Sequence, residues 1–367
     1  MAAKPHTLVT AIAIALFILA SSVLGVWVNL RFVSWVTDEQ GYKYTVRQGA
    51  SMHSVIDELS LQGIIKHPSL FKLLVRIKDN AHELKSGEYL FPKGASATKI
   101  LEQITLGTGA LYHTFTIIPG WNFSELRKTL LQTAELDHDI SHLSDDDIMR
   151  LLGSTGLKPE GEFYPDTYYF SKGYTDLALL KRAHHAMQEK LKTLWEHRDP
   201  QVPYKTSYDA LIVASLIEKE AEVEQDRFLI AGVIINRLNK EMLLQIDPTV
   251  IYGMGSRYNG IIHKSDLLED TPYNTYIHKG LPPTPIAMPG LASLEAAMHP
   301  AKHEFYYFVV KGIGEASHQF SKTLEDHYKA VVQSKKNHQW FFNEDLIQHH
   351  LLNLNSADRI DDGGLLH

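Results

Sequence analysis

At 367 residues, with 44% hydrophobic and 22% charged residues, the chain is long enough for two or three domains and apolar enough to bury real cores. A net charge of -7 argues against a broad surface that neutralises nucleic-acid phosphates. The absence of cysteine excludes disulfides, thiolate metal sites, a cysteine nucleophile and a lipidated-cysteine anchor, and the 20 histidines are scattered, so neither metal nor cofactor is expected and most histidines are read as surface residues.

From Leu8 to Leu30 no ionisable side chain interrupts an apolar run long enough to cross a bilayer core. Lys4 and Arg31 flank it, and Trp27 and Trp35 fit interfacial positions. A cleavable signal peptide is the competing reading, with Ala20-Ser21-Ser22 as its cleavage site, but the apolar run continues beyond that point. A retained anchor over 8–30 is therefore expected, with residues 1–7 cytoplasmic and the body of the protein translocated. In a bacterial inner membrane that body faces the periplasm.

A small α/β module is expected over 42–110. Tyr42 to Thr45 alternates as a strand, and Val55, Ile56 and Leu59 carry a helical period. A second helix covers Leu70 to Ile77, a strand follows Lys85-Ser-Gly87, and Ser96 caps a last helix. Tyr44-Thr-Val-Arg-Gln-Gly49 with Ser51 loosely resembles the first strand and turn of a LysM-like peptidoglycan-binding module. A spacer with its own compact core is the plain alternative.

An intermediate α/β region is expected over 111–203. Thr114 to Ile118 reads as a strand, Phe123 begins a helix, and Ser144 followed by three aspartates opens another. The aromatic and acidic stretch Glu160-Gly-Glu-Phe-Tyr-Pro-Asp-Thr-Tyr-Tyr-Phe170 could stack sugar rings, but its register favours Phe163, Tyr168 and Phe170 as a buried face. Leu177 to Trp195 is an amphipathic helix.

The last domain, 204–333, carries the most chemistry. Thr206 or Ser207 caps the apolar helix Ala210-Leu-Ile-Val-Ala-Ser-Leu-Ile217, which ends in Glu218-Lys-Glu-Ala-Glu222. A solvated helix end is the commonplace reading. The chemical reading is an acid partly desolvated beside the negative end of the helix dipole, where both effects favour the proton-bearing form and suit a proton donor. Asp226 is expected to cap the next helix, with Phe228, Ile230, Val233, Ile234 and Leu238 as its packing face. From Leu244 to Gly290 the chain turns to loops dense in Gly, Pro, Asn and Tyr, candidates for a groove wall. A short helix after Ser293, a buried strand Phe305 to Val310, a strand at His318 to Ser321 and a closing helix over Leu324 to Val332 complete the domain. The tail, 334–367, is expected to be disordered, apart from a local contact by Trp340 and Phe341.

The single N-terminal span combines with Glu160-Gly-Glu-Phe-Tyr-Pro-Asp-Thr-Tyr168, Ala214-Ser-Leu-Ile-Glu-Lys-Glu220, Ile235-Asn-Arg-Leu238, Leu244-Gln-Ile-Asp-Pro-Thr-Val-Ile-Tyr-Gly253, Tyr273-Asn-Thr-Tyr276 and Gly280-Leu-Pro-Pro283. Several motifs in this order resemble the YceG-like family of endolytic murein transglycosylases, also called MltG, over roughly Val46 to Gln333. Met288 departs from the asparagine common in that family, which removes any side-chain amide bond at that position.

The resemblance implies an α+β fold with an N-terminal transmembrane helix, a LysM-like module and a catalytic domain with a loop-rich groove. It implies that Glu218 is the catalytic acid of a lytic transglycosylase, and that the substrate is nascent peptidoglycan glycan strands cut beside the inner membrane, terminating their elongation. Peptidoglycan synthases are candidate partners, and nucleic acid is not. By side-chain capacity Gln245, Tyr273, Asn274 and Tyr276 are candidate glycan contacts. Asp247 is a further candidate, with a turn role on backbone amides beside Pro248 as its alternative. Two other functions remain open: a glycoside hydrolase using a second carboxylate from Glu220, Glu222 or Asp247, and a non-enzymatic peptidoglycan-binding scaffold.

Overall fold

The computed structural model describes residues 5–47, 49–79, 83–312 and 315–337. In chain order the elements are α1 (Pro5–Phe32), β1 (Tyr42–Val46), α2 (Met52–Leu61), α3 (Pro68–Lys78), β2 (Gly87–Phe91), α4 (Ala97–Leu106), β3 (Ala110–Leu111), β4 (His113–Thr116), α5 (Phe123–Leu131), β5 (Leu136–Asp137), α6 (Asp145–Leu151), β6 (Thr167–Phe170), β7 (Tyr174–Thr175) and α7 (Asp176–Glu196). There follow α8 (Ser207–Glu220), α9 (Glu224–Asn239), α10 (Asp247–Met254), a 3-10 turn at Gly255–Arg257, α11 (Lys264–Leu267), α12 (Leu291–Met298), β8 (Tyr307–Gly312), β9 (Glu315–Ser321) and α13 (Leu324–Asn337). The chain divides into two compact units: residues 1–115 with 133–138 and 168–176, and residues 116–132, 139–167 and 177–367. The expected α+β class holds, and the expected intermediate region is shared between the two units.

In the first unit, β1, β2 and β3 form an antiparallel sheet with Tyr42 opposite Phe91 and Val46 opposite Gly87. Alternation along β2 turns Tyr89 and Phe91 inward, where they meet Val55, Leu59, Phe71, Ile100 and Ile104. Ser51 caps α2 in a reciprocal capping box with Ser54, and Ser96 caps α4 by accepting the Lys99 N–H, as its position predicts. α1 is long and apolar enough to cross a membrane, and from Ile12 to Gly25 its described side chains are exposed. Its last turns behave differently. Val26 packs on the core of this unit, Leu30 is buried within it, and the Leu30 carbonyl accepts a hydrogen bond from Thr98 Oγ1 at 3.0 Å. Trp35, expected at the membrane interface, is instead 2% exposed, with its ring beside Phe71 and His67. A large aromatic gains more from a packed core than from a wet interface when the core reaches it.

The second unit is built around α8, whose residues Ala210 to Ile217 are all buried and which packs against α12 and α9. Thr206 caps α8 in a box with Asp209, and Asn122 and Ser144 do the same for α5 and α6. The expected cap of α9 is corrected: the N-cap is Val223. Asp226 instead lies inside the helix, where its Oδ2 accepts the His318 N–H at 2.6 Å and lies 3.0 Å from His318 Nδ1, fastening β9. Most described histidines are exposed or half-buried, as expected, while His184, His318 and His327 are buried. The buried-face reading of the aromatic stretch is correct: Phe163, Tyr168 and Phe170 are 0%, 6% and 2% exposed.

The strand expected from Phe305 begins at Tyr307, and it is less buried than its composition implies. Among the described residues it pairs only with β9, and Val310 reaches solvent at 38% exposure. α13 continues to Asn337, into the segment expected as tail; Trp340, Phe341 and the rest of that tail lie outside the described residues. Trp35→Ala should cost the first unit about 3–5 kcal/mol, read as an early unfolding transition in chemical denaturation. A change within about 0.5 kcal/mol would mean that Trp35 is not part of that core.

Candidate active site

Sequence alone brings Glu218 to the end of a buried helix; tertiary structure supplies its surroundings. α8 ends where Ala221 leaves helical geometry while its N–H still bonds the Ile217 carbonyl at 2.9 Å. Glu218 sits in the last turn with its side chain 8% exposed. The chain after the Pro-rich loop is led to it by main-chain bonds: Met288 N–H to the Trp121 carbonyl at 2.7 Å, and Gly120 N–H to the Met288 carbonyl at 2.9 Å. Ser215 Oγ, on α8 itself, accepts the Ile286 N–H at 3.0 Å. Pro285 packs on Gly161, where a Cβ would come within 2.5 Å of its ring; only glycine fits, and its φ of +79° is the left-handed conformation glycine tolerates.

These bonds deliver the N-terminus of α12 to the carboxylate. Glu218 Oε2 accepts the Gly290 N–H at 2.9 Å and the Ser293 hydroxyl at 2.7 Å. Arg227, from α9, places Nη2 3.8 Å from Oε1 and donates Nε–H to Ser293 Oγ at 3.1 Å. Glu218 is thus partly desolvated, as read from the sequence, and is also held by three donors that the sequence did not show. Oε2 takes both hydrogen bonds, while Oε1 faces only the more distant Arg227 Nη2 at 3.8 Å. Met288 is fully buried and enters this construction through its main chain, so the position works without the family's asparagine amide.

The remaining predicted residues fall into two groups. Tyr276 donates its hydroxyl to Asp247 Oδ1, and burial first, with the charge and bond of Asp247 second, raises the Tyr276 pKa well above its usual value. Asp247, the exposed first residue of α10, therefore serves a tyrosine hydroxyl; no backbone amide bond to it is found among the described residues. Half-buried Glu220 faces the same side, its carboxyl pushed up to about 8 by burial first and by Asp247 second. Gln245, in the left-handed region at φ +52°, accepts from Arg237 Nη1 at 3.1 Å.

Asn274 and Tyr273 do structural work. Asn274 is fully buried; its Nδ2 donates to the carbonyls of Leu267 and Glu269 at 3.0 and 2.8 Å, and its Oδ1 accepts the Tyr276 N–H. That use of its amide removes it from the candidate glycan contacts. Tyr273 bonds Thr284 Oγ1 at 2.9 Å, and its ring lies 4.7 Å from that of Tyr252.

Two buried acids, given no individual role in the sequence reading, hold this frame. Glu160 accepts the Phe123 N–H at 3.0 Å and the Tyr252 hydroxyl at 2.9 Å; Glu162 accepts from Gln188 Nε2 at 2.7 Å. Burial pushes both carboxyls up to about 7, opposed by those hydrogen bonds. Ser293, Arg227 and Gly290 went unrecognised in the sequence because their partner lies about 70 residues away on another element for two of them, and on a different helix for the third. Among the described residues no group of three or more His, Asp or Glu is placed to hold a metal ion.

The chain thus carries a membrane-length apolar helix, an α+β body and a helix-end carboxylate clamped by a second helix. The YceG-like family model matches residues 44–333, and the chain belongs to that family. It is 32% identical over 302 residues to the endolytic murein transglycosylase of Bacillus subtilis strain 168, covering 78% of this chain and 82% of that one. The endolytic murein transglycosylase of Streptococcus pneumoniae strain D39 is 28% identical over 332 residues; the match covers 81% of this chain and 59% of that longer protein. The crystal structure of a putative YceG-like protein from Listeria monocytogenes has a TM-score of 0.47 and 26% identity, over 80% of this chain and 99% of that one.

Two outcomes are expected from this geometry. Asn274→Ala should destabilise the second unit by about 3 kcal/mol, since it strands buried carbonyls; a change below about 0.5 kcal/mol in denaturant titrations contradicts the role assigned to Asn274. Glu160 and Glu162 bind protons more tightly folded than unfolded, so their contribution to stability is complete below the unfolded carboxyl range and is lost as pH rises towards about 7. Glu162→Gln should flatten the decline in melting temperature between about pH 5 and pH 7.5; an unchanged slope contradicts the assignment.

Proposed function

We propose that the chain is a membrane-anchored lytic transglycosylase that cleaves nascent peptidoglycan glycan and leaves 1,6-anhydro-N-acetylmuramoyl ends. The observation that carries this reading is the clamp on Glu218, in a chain whose family relatives are named for murein transglycosylation. The proton on Oε1 passes to the glycosidic oxygen as the bond from C1 of the muramoyl unit breaks and an oxocarbenium-like centre develops. The Gly290 N–H, the Ser293 hydroxyl and the Arg227 guanidinium then stabilise the carboxylate that proton transfer creates.

That carboxylate takes the proton of the same sugar's C6 hydroxyl as O6 closes on C1. The ring closes, the acid is restored, and no water is consumed. One carboxyl is enough for both steps. Asp247 and Tyr276, grouped with Glu220, and Gln245, held by Arg237, are candidate glycan contacts, since sugar hydroxyls pair with carboxyl, phenol and amide groups.

The unit β1-α2-α3-β2, two antiparallel strands around a helix pair, is read as a LysM-like glycan-holding module. α1 is read as a single inner-membrane span with the body in the periplasm, which brings the site to newly made strands and makes chain termination its physiological result. Peptidoglycan synthases are the expected neighbours.

Glu218→Gln keeps the shape and the two donors' acceptor but carries no transferable proton. Turnover should fall at least about 100-fold, with the fold intact by circular dichroism. Mass spectrometry of products from uncrosslinked glycan should show anhydro ends for the unaltered protein alone. Hydrated reducing ends would replace the proposal with hydrolysis, and full activity of Glu218→Gln would remove Glu218 from the chemistry. Ser293→Ala should lower kcat by about 10–100-fold with little change in KM, because the lost donor acts on the carboxylate formed in the transition state; an unchanged kcat contradicts that role.

A further inference from the structure

The first unit carries an exposed apolar rim with a definite relation to α1. The charge-free stretch 8–30 is only just long enough to cross a bilayer, and its final residues are already used. Val26, Asn29 and Leu30, one face of the last turns, are turned into the unit, and the Leu30 carbonyl is bonded to Thr98. Residues 8–25 remain, about 27 Å at 1.5 Å per residue, against a hydrocarbon core of about 30 Å. No spacer separates the apolar span from the folded unit.

Contacts also set the direction of the neighbouring helices. Ala95 O accepts the Trp35 N–H at 2.8 Å, just before α4 begins, and Thr98 meets Leu30. α4 therefore runs antiparallel to the end of α1, and its C-terminal residue Leu106 lies back along the anchor. α3 behaves alike: Lys66 Nζ reaches the Ser34 carbonyl and His67 meets Trp35 at its start, while at its other end Lys78 pairs with Glu102 of α4 at 3.1 Å. The Lys85 N–H bonds the Ile104 carbonyl at 2.8 Å, and Lys85 and the Tyr112 hydroxyl both approach Gly107.

These contacts tie the end of α3, the end of α4 and Tyr112 together, and the apolar side chains exposed there are Ile77 at 71%, Leu106 at 65% and Tyr112 at 58%, with Leu73 at 44% one turn earlier on α3. Isolated exposed apolar residues are common, but a cluster at the point where a membrane-length helix leaves the unit is not. Tyrosine and lysine at its edge match the composition of bilayer interfaces. Lys78 is paired with Glu102, which leaves the apolar side chains as the main feature of the rim.

We propose that the first unit seats on the bilayer through this rim, with Leu73, Ile77, Leu106 and Tyr112 in the lipid interface, so that anchor and unit form one membrane-bound body. The proposal rests on the reading of α1 as a span. The seat fixes the unit against the membrane, where a flexible tether would let it sample distance from it.

The chain has no cysteine, so single cysteines can be introduced into the full-length protein and labelled with an environment-sensitive fluorophore. Leu106→Cys and Ile77→Cys report the rim, Leu16→Cys reports the span, and Lys43→Cys reports the exposed outer face of the sheet. In neutral phosphatidylcholine nanodiscs carrying spin label near the top of the acyl chain, loss of emission is expected at 77, 106 and 16, with none at 43. Quenching at 16 alone would leave the span intact and overturn the seat. Absence of quenching at 16 would overturn the span, and equal quenching at 43 would overturn the assigned face.

Discussion

The carboxylate of Glu218 depends on one contact between distant parts of the chain: the N-terminus of α12 donating two hydrogen bonds to Oε2. A buried helix end carries unpaired carbonyls, and a carboxyl placed there without donors would be costly. The Gly290 N–H and Ser293 hydroxyl offset that cost, both donating to Oε2. The Pro-rich loop, the bonds of Met288 to Gly120 and Trp121, and the bond from Ile286 to Ser215 all fix where α12 starts.

That frame is itself held by acids. Glu160 joins the first turn of α5 to Tyr252 of α10, and Tyr252 carries the ring of Tyr273, which bonds Thr284 in the Pro-rich loop. Glu162 ties the same motif to α7 through Gln188. Buried carboxyls stabilise such a scaffold only when every acceptor is used, since an unpaired one costs more than an apolar residue. The second unit thus places several acids under one roof and separates their tasks by environment. Glu218 is clamped beside a guanidinium, Glu160 and Glu162 are locked into the frame, and Glu220 shares a face with Asp247 and Tyr276.

Much of the fold was legible because it is local. The caps Ser51, Ser96, Ser144 and Thr206 each bond within three residues, and the alternation of β2 names its own buried face. Errors arose where a side chain had two uses and distance decided between them. Asp226 could cap a helix or bond His318, 92 residues on, and the second occurs. Trp35 could lie in an interface or in a core, and the proximity of Phe71 settled it. Asn274 looked like a sugar ligand because an exposed amide would be one, yet its loop consumes the amide.

The sequence by itself determined the apolar helix at the N-terminus, the caps Ser96, Ser144 and Thr206, the buried run Ala210 to Ile217 and therefore the place of Glu218 at its end. Hydrophobic period and cap chemistry act within a few residues, so they can be read directly from the chain. Only tertiary structure decided that Glu218 meets Gly290, Ser293 and Arg227, that Asn274 is withdrawn from the surface, and that the end of α1 belongs to a packed core. Those are contacts between segments separated by up to about 75 residues, and no local period encodes which distant partner a polar group will find.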